Sequence, residues 1–329
     1  MNQSKRPALK LLLALLAFVM VAAACGDSDT EGSGEDGALR IAIVAPSASD
    51  DLAFTQSMVD AVNALDRPFE LEITDGTFVV EDAAAAIRGY AEDGVDIVIA
   101  HGTQYGGSLA EIAPDFPETT FVWGTSTDTQ GLDNVFAYNP AADEGGYVNG
   151  VLAAGISESG VIGVVGPIEA GDAVTYIGGF EAGALASGAS SVNITYTGSF
   201  GDVTLASEAA QAHLTNGVDV MTGTAQMVVG AVSVATANDI PWLATQADQT
   251  SLSPGLVVAS QVYRWEVVLE EMLDLRADGT VGGQVFELTL ENGGLVIEFN
   301  DGFDLPSEVR DAADAAIEGI KDGSIDTGF

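Results

Sequence analysis

Gly94-Val95-Asp96-Ile97-Val98-Ile99-Ala100-His101-Gly102-Thr103-Gln104 (GVDIVIAHGTQ) and, far along the chain, Gly217-Val218-Asp219-Val220-Met221-Thr222-Gly223-Thr224-Ala225-Gln226 (GVDVMTGTAQ) decide the fold. Each is an apolar run of strand length that ends in glycine, threonine and glutamine. Such a run reads as a buried parallel strand followed by the turn into a helix, and its recurrence reads as one α/β unit used twice. Generic turn chemistry, with glycine supplying the tight bend, would also produce this echo. In open α/β sheets the carboxyl ends of strands are where ligands sit, so both Gly-Thr-Gln segments mark places to look for a site.

Outward from the first segment, Leu39 to Val44 reads as a buried strand, and Phe54, Met58, Val62 and Leu65 recur at helical spacing. Phe69, Leu71 and Ile73 alternate as a strand, Glu81 to Glu92 reads as a helix, Val95 to Ala100 as a third strand and Phe121 to Trp123 as a fourth. Around the second segment, the spacing predicts helix to Ile156, strand Val161 to Val165, helix Gly178 to Ala189, strand Val192 to Tyr196, helix Val203 to Leu214 and strand Val218 to Met221. The result is an α/β chain of two lobes, residues 38–137 and 138–254.

The first 25 residues have a different character. Lys5, Arg6 and Lys10 flank an apolar run from Leu11 to Val21, which closes on Ala22-Ala23-Ala24-Cys25. That run is shorter than the roughly 18 to 20 residues that span a bilayer, and the small residues before a lone cysteine read as a lipoprotein signal, residues 1–24. Cys25 would then carry the lipid anchor, and residues 25–37, without an apolar side chain after the cysteine, would form an acidic flexible tether. A monomer on the extracytoplasmic face of the cell membrane is expected.

A formal net charge of −39 over 329 residues excludes nucleic acid as a partner, since phosphate binding rests on Lys and Arg. The inventory for catalysis is thin: two histidines, His101 and His213, one cysteine, no metal-ligand spacing and no phosphate loop in Gly160 to Gly166. No cofactor is expected. Phe54, Tyr105 and Trp123 lie near strand ends, where they could sandwich a planar ligand; each could instead be part of a core. Gln104, Gln226, Asp51 and Asp172 are candidate hydrogen-bonding partners.

Six ordered segments, Ser49 to Gln56, Asp115 to Phe121, Asp143 to Val151, Gly178 to Gly183, Gly198 to Asp202 and Ala247 to Gln249, resemble the signature segments of the basic membrane protein family. These are substrate-binding lipoproteins of ABC transporters, among them purine-nucleoside receptors. The resemblance implies a type I periplasmic-binding-protein fold, two Rossmann-like lobes joined by three crossovers, with about 255–285 returning to the first lobe and about 286–329 to the second. It implies a small-molecule solute and an ABC permease as partners, with no enzymatic activity. Asp51 and Phe54 match the acid and aromatic of the family's first ligand loop. Gln246 stands where the nucleoside branch has an acid for ribose, and Tyr263 where it has a lysine, so a planar or polyhydroxylated solute is expected without a transferred identity. A ligand sensor of the same fold, or an exported enzyme using His101, are the alternatives.

Overall fold

The computed structural model describes residues 38–329. The expected leader, Cys25 and the tether lie outside the described residues. Among those described, no helix is long and apolar enough to cross a membrane.

The first series runs β1 (Leu39–Val44), α1 (Phe54–Asn63), β2 (Phe69–Thr74), α2 (Val80–Glu92), β3 (Ile97–Ala100), α3 (Gly106–Ile112), β4 (Thr120–Gly124) and β5 (Val135–Pro140). The second runs α4 (Ala142–Ile156), β6 (Val161–Gly166), α5 (Asp172–Ala186), β7 (Ser191–Tyr196), α6 (Val203–Thr215), β8 (Val220–Gly223), α7 (Val228–Ala237), β9 (Trp242–Gln246) and β10 (Val257–Tyr263). After α8 (Glu266–Ala277), β11 (Val285–Leu288) and β12 (Leu295–Phe299), α9 (Ser307–Lys321) closes the chain.

Two six-stranded sheets result, ordered β11-β5-β4-β3-β1-β2 and β12-β10-β9-β8-β6-β7. Every pairing is parallel except β10 with β12. The pleat sorts side chains between layers: Ile41 and Ile43 of β1 enter one apolar cluster, while Ala42 and Val44 enter another on the opposite face. Both faces being covered explains why the central strands read as unbroken apolar runs.

The chain crosses between sheets after Pro140, after Tyr263 and between β11 and β12. The expected lobe boundaries therefore shift. β5 extends the first sheet to Pro140, β10 belongs to the second sheet, and β11 belongs to the first. At a crossover a strand has the same apolar character whichever sheet receives it, so sequence pattern does not say which sheet it joins.

In the second lobe α4 and α5 pack with almost no separation. A Cβ on Gly150 would fall 2.2 Å from the carbonyl oxygen of Phe180, and one on Gly183 would fall 2.1 Å from that of Tyr147. Glycine in a helix interior costs about 1 kcal/mol relative to alanine, which the close contact of two helix backbones offsets.

Candidate functional site

The two sheets point their carboxyl ends at each other, and between them lies a cavity of about 240 Å³. Its first-lobe wall is supplied by the turns after β1 and β3, by Thr125 after β4, and by Phe54 and Phe78. Ala170 to Ala173, Phe200, Ala225, Gln226 and Gln246 form the second wall. The volume falls a little below the roughly 300 Å³ at which small-molecule sites begin to be common.

Phe54 is positioned by the loop before it. The Asp51 carboxylate accepts hydrogen bonds from the backbone N–H groups of Ala53 (2.9 Å), Thr55 (3.2 Å) and Gln56 (3.0 Å), and from the Ser47 hydroxyl (2.6 Å). Asp51 thus builds the start of α1 and is not among the residues lining the cavity. One face of the Phe54 ring is covered by the His101 imidazole, with ring centroids 3.8 Å apart and planes 12° from parallel.

His101 is fully buried, and both ring nitrogens are occupied. A carbonyl can only accept, so Nε2 carries the proton donated to the Phe54 oxygen at 2.9 Å, and Nδ1 accepts from the Tyr138 hydroxyl at 2.5 Å. Burial pushes its pKa down to about 3, against which the bond to Phe54 acts in the opposite sense. His101 is a neutral support behind the aromatic wall and does not reach the cavity. His213 is likewise buried, bonded to the Val164 carbonyl.

Tyr105 and Trp123 are corrected by the structure: both belong to the first lobe's core. The short 3-10 turn Thr103–Tyr105 leaves Gln104 at the cavity and turns Tyr105 inward, where its hydroxyl donates to the Thr77 carbonyl at 2.9 Å and burial raises its pKa to about 12. The Trp123 indole donates to the Gly102 carbonyl (3.2 Å) and lies so close to Gly106 that a Cβ there would meet the ring at 2.1 Å.

The second wall is polar. Gly171, at φ +59°, leads into α5, so Asp172 is the first residue of that helix, where its charge is favoured by the helix dipole. α5 starts at Asp172, six residues before the expected Gly178. One oxygen of Asp172 accepts from Gln246 Nε2 at 3.1 Å and from the Tyr263 hydroxyl at 3.0 Å. Burial pushes the Asp172 carboxyl above its ordinary range, and these two bonds pull it back. Tyr263 stands behind Asp172 and is itself outside the lining. Asp172 is the one charged residue in the lining.

Two lining residues end in unmatched acceptors: Oε1 of Gln226 and Oε1 of Gln246 are buried without a hydrogen-bond partner. Each such group costs about 1 to 3 kcal/mol until something donates to it. Thr125, Ala225 and Gln246 also hold positive φ angles of 51°, 74° and 75°, a region that side chains with a Cβ rarely adopt. Strain of this kind gathers where a ligand is gripped.

Phe78 and Phe200 are lining residues that pattern reading left out. Phe200 lay within the Gly198 to Asp202 segment, whereas Phe78 sits in a loop with no periodic signal. From the first lobe the Phe78 ring comes within 3.6 Å of where a Cβ on Gly201 of the second lobe would be, and it is 46% exposed at the mouth. Behind the cavity, Gln249 Nε2 donates to the Leu52 carbonyl at 3.0 Å and links the lobes.

The profile of a family described as "ABC transporter substrate-binding protein PnrA-like", Bmp, matches residues 38–322. A purine-binding protein of Brucella abortus is 25% identical over 271 residues, covering 82% of this chain and 76% of its own. An ABC transporter solute-binding protein from Conexibacter woesei has a TM-score of 0.74 at 23% identity, covering 88% of this chain and 98% of its own. A transcriptional activator of the comK gene from Bacillus halodurans has a TM-score of 0.72 at 19% identity, covering 87% and 99%.

Proposed function

The chain belongs to the Bmp family of PnrA-like ABC transporter substrate-binding proteins, and from that premise we propose that it is a lipid-anchored receptor on the extracytoplasmic face of the cell membrane. It captures a small planar or polyhydroxylated solute between its lobes and presents the closed complex to an ABC permease for import. The observation that carries this reading is the cavity itself, enclosed by the carboxyl ends of two parallel sheets that the chain crosses between three times. That arrangement lets the lobes part and close about the crossovers while each wall stays rigid. Phe54, backed by His101, offers a flat apolar surface, and Gln104, Gln226, Gln246 and Asp172 offer polar groups around it. With no cationic lining residue, the site suits uncharged or cationic solutes better than phosphates or carboxylates.

The test is mass spectrometry of solute released by unfolding the purified protein, followed by calorimetry of that compound on refolded protein. A single small solute rebinding with micromolar or tighter affinity supports the reading; the absence of any bound or binding solute opposes it. Membrane attachment is tested separately by Cys25→Ala, which should release the protein from carbonate-washed membranes.

A second reading, a sensor that reports solute to a signalling protein, is favoured by the likeness to the Bacillus halodurans activator. Uptake of the solute by cells lacking the protein separates the two: a receptor for import abolishes uptake when lost, a sensor leaves it intact.

A further inference from the structure

We propose that Tyr263 and Asp172 are positioning residues that fix the polarity of Gln246, so that its carbonyl oxygen faces the ligand and selects solutes offering an N–H or O–H donor there. This rests on the solute-receptor reading and goes beyond it by assigning a required chemistry to one point of the site.

An ionised carboxylate only accepts, a phenol has one proton to give, and an amide has an accepting oxygen on one side and a donating nitrogen on the other. Tyr263 is buried beside Trp265, whose ring lies 4.8 Å away, and gives its proton to Asp172. Asp172 also receives the Gln246 amide N–H. Turning the amide over would set two oxygens against each other. The Gln246 oxygen is therefore held on the other side, buried and unpartnered, on a residue only 3% exposed whose backbone sits at φ +75°. Gln246 lines the cavity, so a ligand bound there can supply the donor that this oxygen lacks.

Protonating Asp172 would remove the constraint, because a carboxylic acid can donate to an inverted amide and let Gln246 present its N–H instead. Burial first, and then Asp172, push the Tyr263 hydroxyl well above its ordinary range, with smaller contributions from the other titratable groups that face it, Tyr176 on α5 and Asp143 on α4. Burial pushes the Asp172 carboxyl up, and the Tyr263 hydrogen bond is one of the two side-chain bonds that act in the opposite sense.

Two measurements on the full chain test this. Carbon-13 NMR of the Asp172 carboxyl should show its titration moved to higher pH in Tyr263→Phe; an unchanged midpoint overturns the positioning role, and needs no ligand. Thermal-shift binding with a panel of nucleosides, nucleobases and free sugars, alongside their phosphate esters, should give hits among the uncharged compounds. Tyr263→Phe should weaken those hits roughly threefold to tenfold. Gln246→Glu should bind them progressively worse as pH rises, since two ionised carboxylates then face each other, while the wild type stays flat from pH 6 to 8. A phosphate ester binding as well as its parent, or a flat profile in Gln246→Glu, contradicts the proposal. An empty panel counts against the solute-receptor reading instead, and the NMR titration still decides the positioning pair.

Discussion

The two walls of the cleft are built to different standards. On the first-lobe side each polar group behind the surface is satisfied: Asp51 holds the start of α1, and His101 is bonded at both nitrogens. Across the cleft, Gln226 and Gln246 leave oxygens unmatched, whereas unfavourable backbone angles occur on both sides, at Thr125 on the first wall and at Ala225 and Gln246 on the second. On the proposed reading, one wall is complete before a ligand arrives and the other only with it. That reading assigns shape and stacking chiefly to the first lobe and polar selection chiefly to the second.

The largest effect that would break this comparison is predicted for Asp172→Leu. It strands the Gln246 amide N–H and the Tyr263 hydroxyl and frees Gln246 to turn, so affinity for the natural solute should fall roughly hundredfold, at about 1.5 to 3 kcal/mol per charged hydrogen bond. Calorimetry showing native affinity would mean that the second wall does not select.

Phe54→Ala comes next, with a loss of about tenfold in affinity from the removed platform. Trp123→Ala should differ in its binding effect: both rings are buried, but Trp123 is outside the cavity lining, so its loss lowers stability by about 3 to 5 kcal/mol while the molecules that remain folded bind as before. Chemical denaturation paired with calorimetry separates the two, and equal affinity losses would return Trp123 to the cavity wall.

A smaller effect sharpens the first wall's role. His101 has its pKa depressed to about 3 by burial, below the ordinary 6.5. The unfolded chain takes up a proton below that ordinary value and the folded chain does not, so the stability that neutral His101 contributes is present above pH 6.5 and is lost as pH falls from there towards 3. The loss approaches about 1.4 kcal/mol per pH unit. Urea titrations at pH 7 and pH 5 should therefore show the wild type losing more stability than His101→Gln; equal slopes would show that His101 titrates normally.

How far the site was legible in the sequence also divides between the walls. β1 was readable to the residue, because a buried parallel strand is a continuous apolar run, and both Gly-Thr-Gln echoes fall at the carboxyl ends of β3 and β8, with Gln104 and Gln226 in the cavity lining. The family resemblance was carried by six short segments and matches the profile found over residues 38–322. Nearness to a strand end did not decide which way an aromatic points. A three-residue turn sends Tyr105 into the core and keeps Gln104 outside, and no periodicity encodes that. Phe78 lies in a loop, where pattern has nothing to repeat. The Asp172–Gln246–Tyr263 contact joins positions separated by 74 and 91 residues, so it exists only once the second sheet has assembled.

The central claim is that the second wall is held incomplete for the ligand's sake, and Gln246→Gly tests it most directly. Glycine adopts φ near +75° without strain, so thermal unfolding of the ligand-free variant should shift upward, by about 1 kcal/mol of stability, while calorimetry shows affinity for the natural solute falling at least tenfold. A variant that is no more stable and binds the solute as tightly as the wild type would contradict the account.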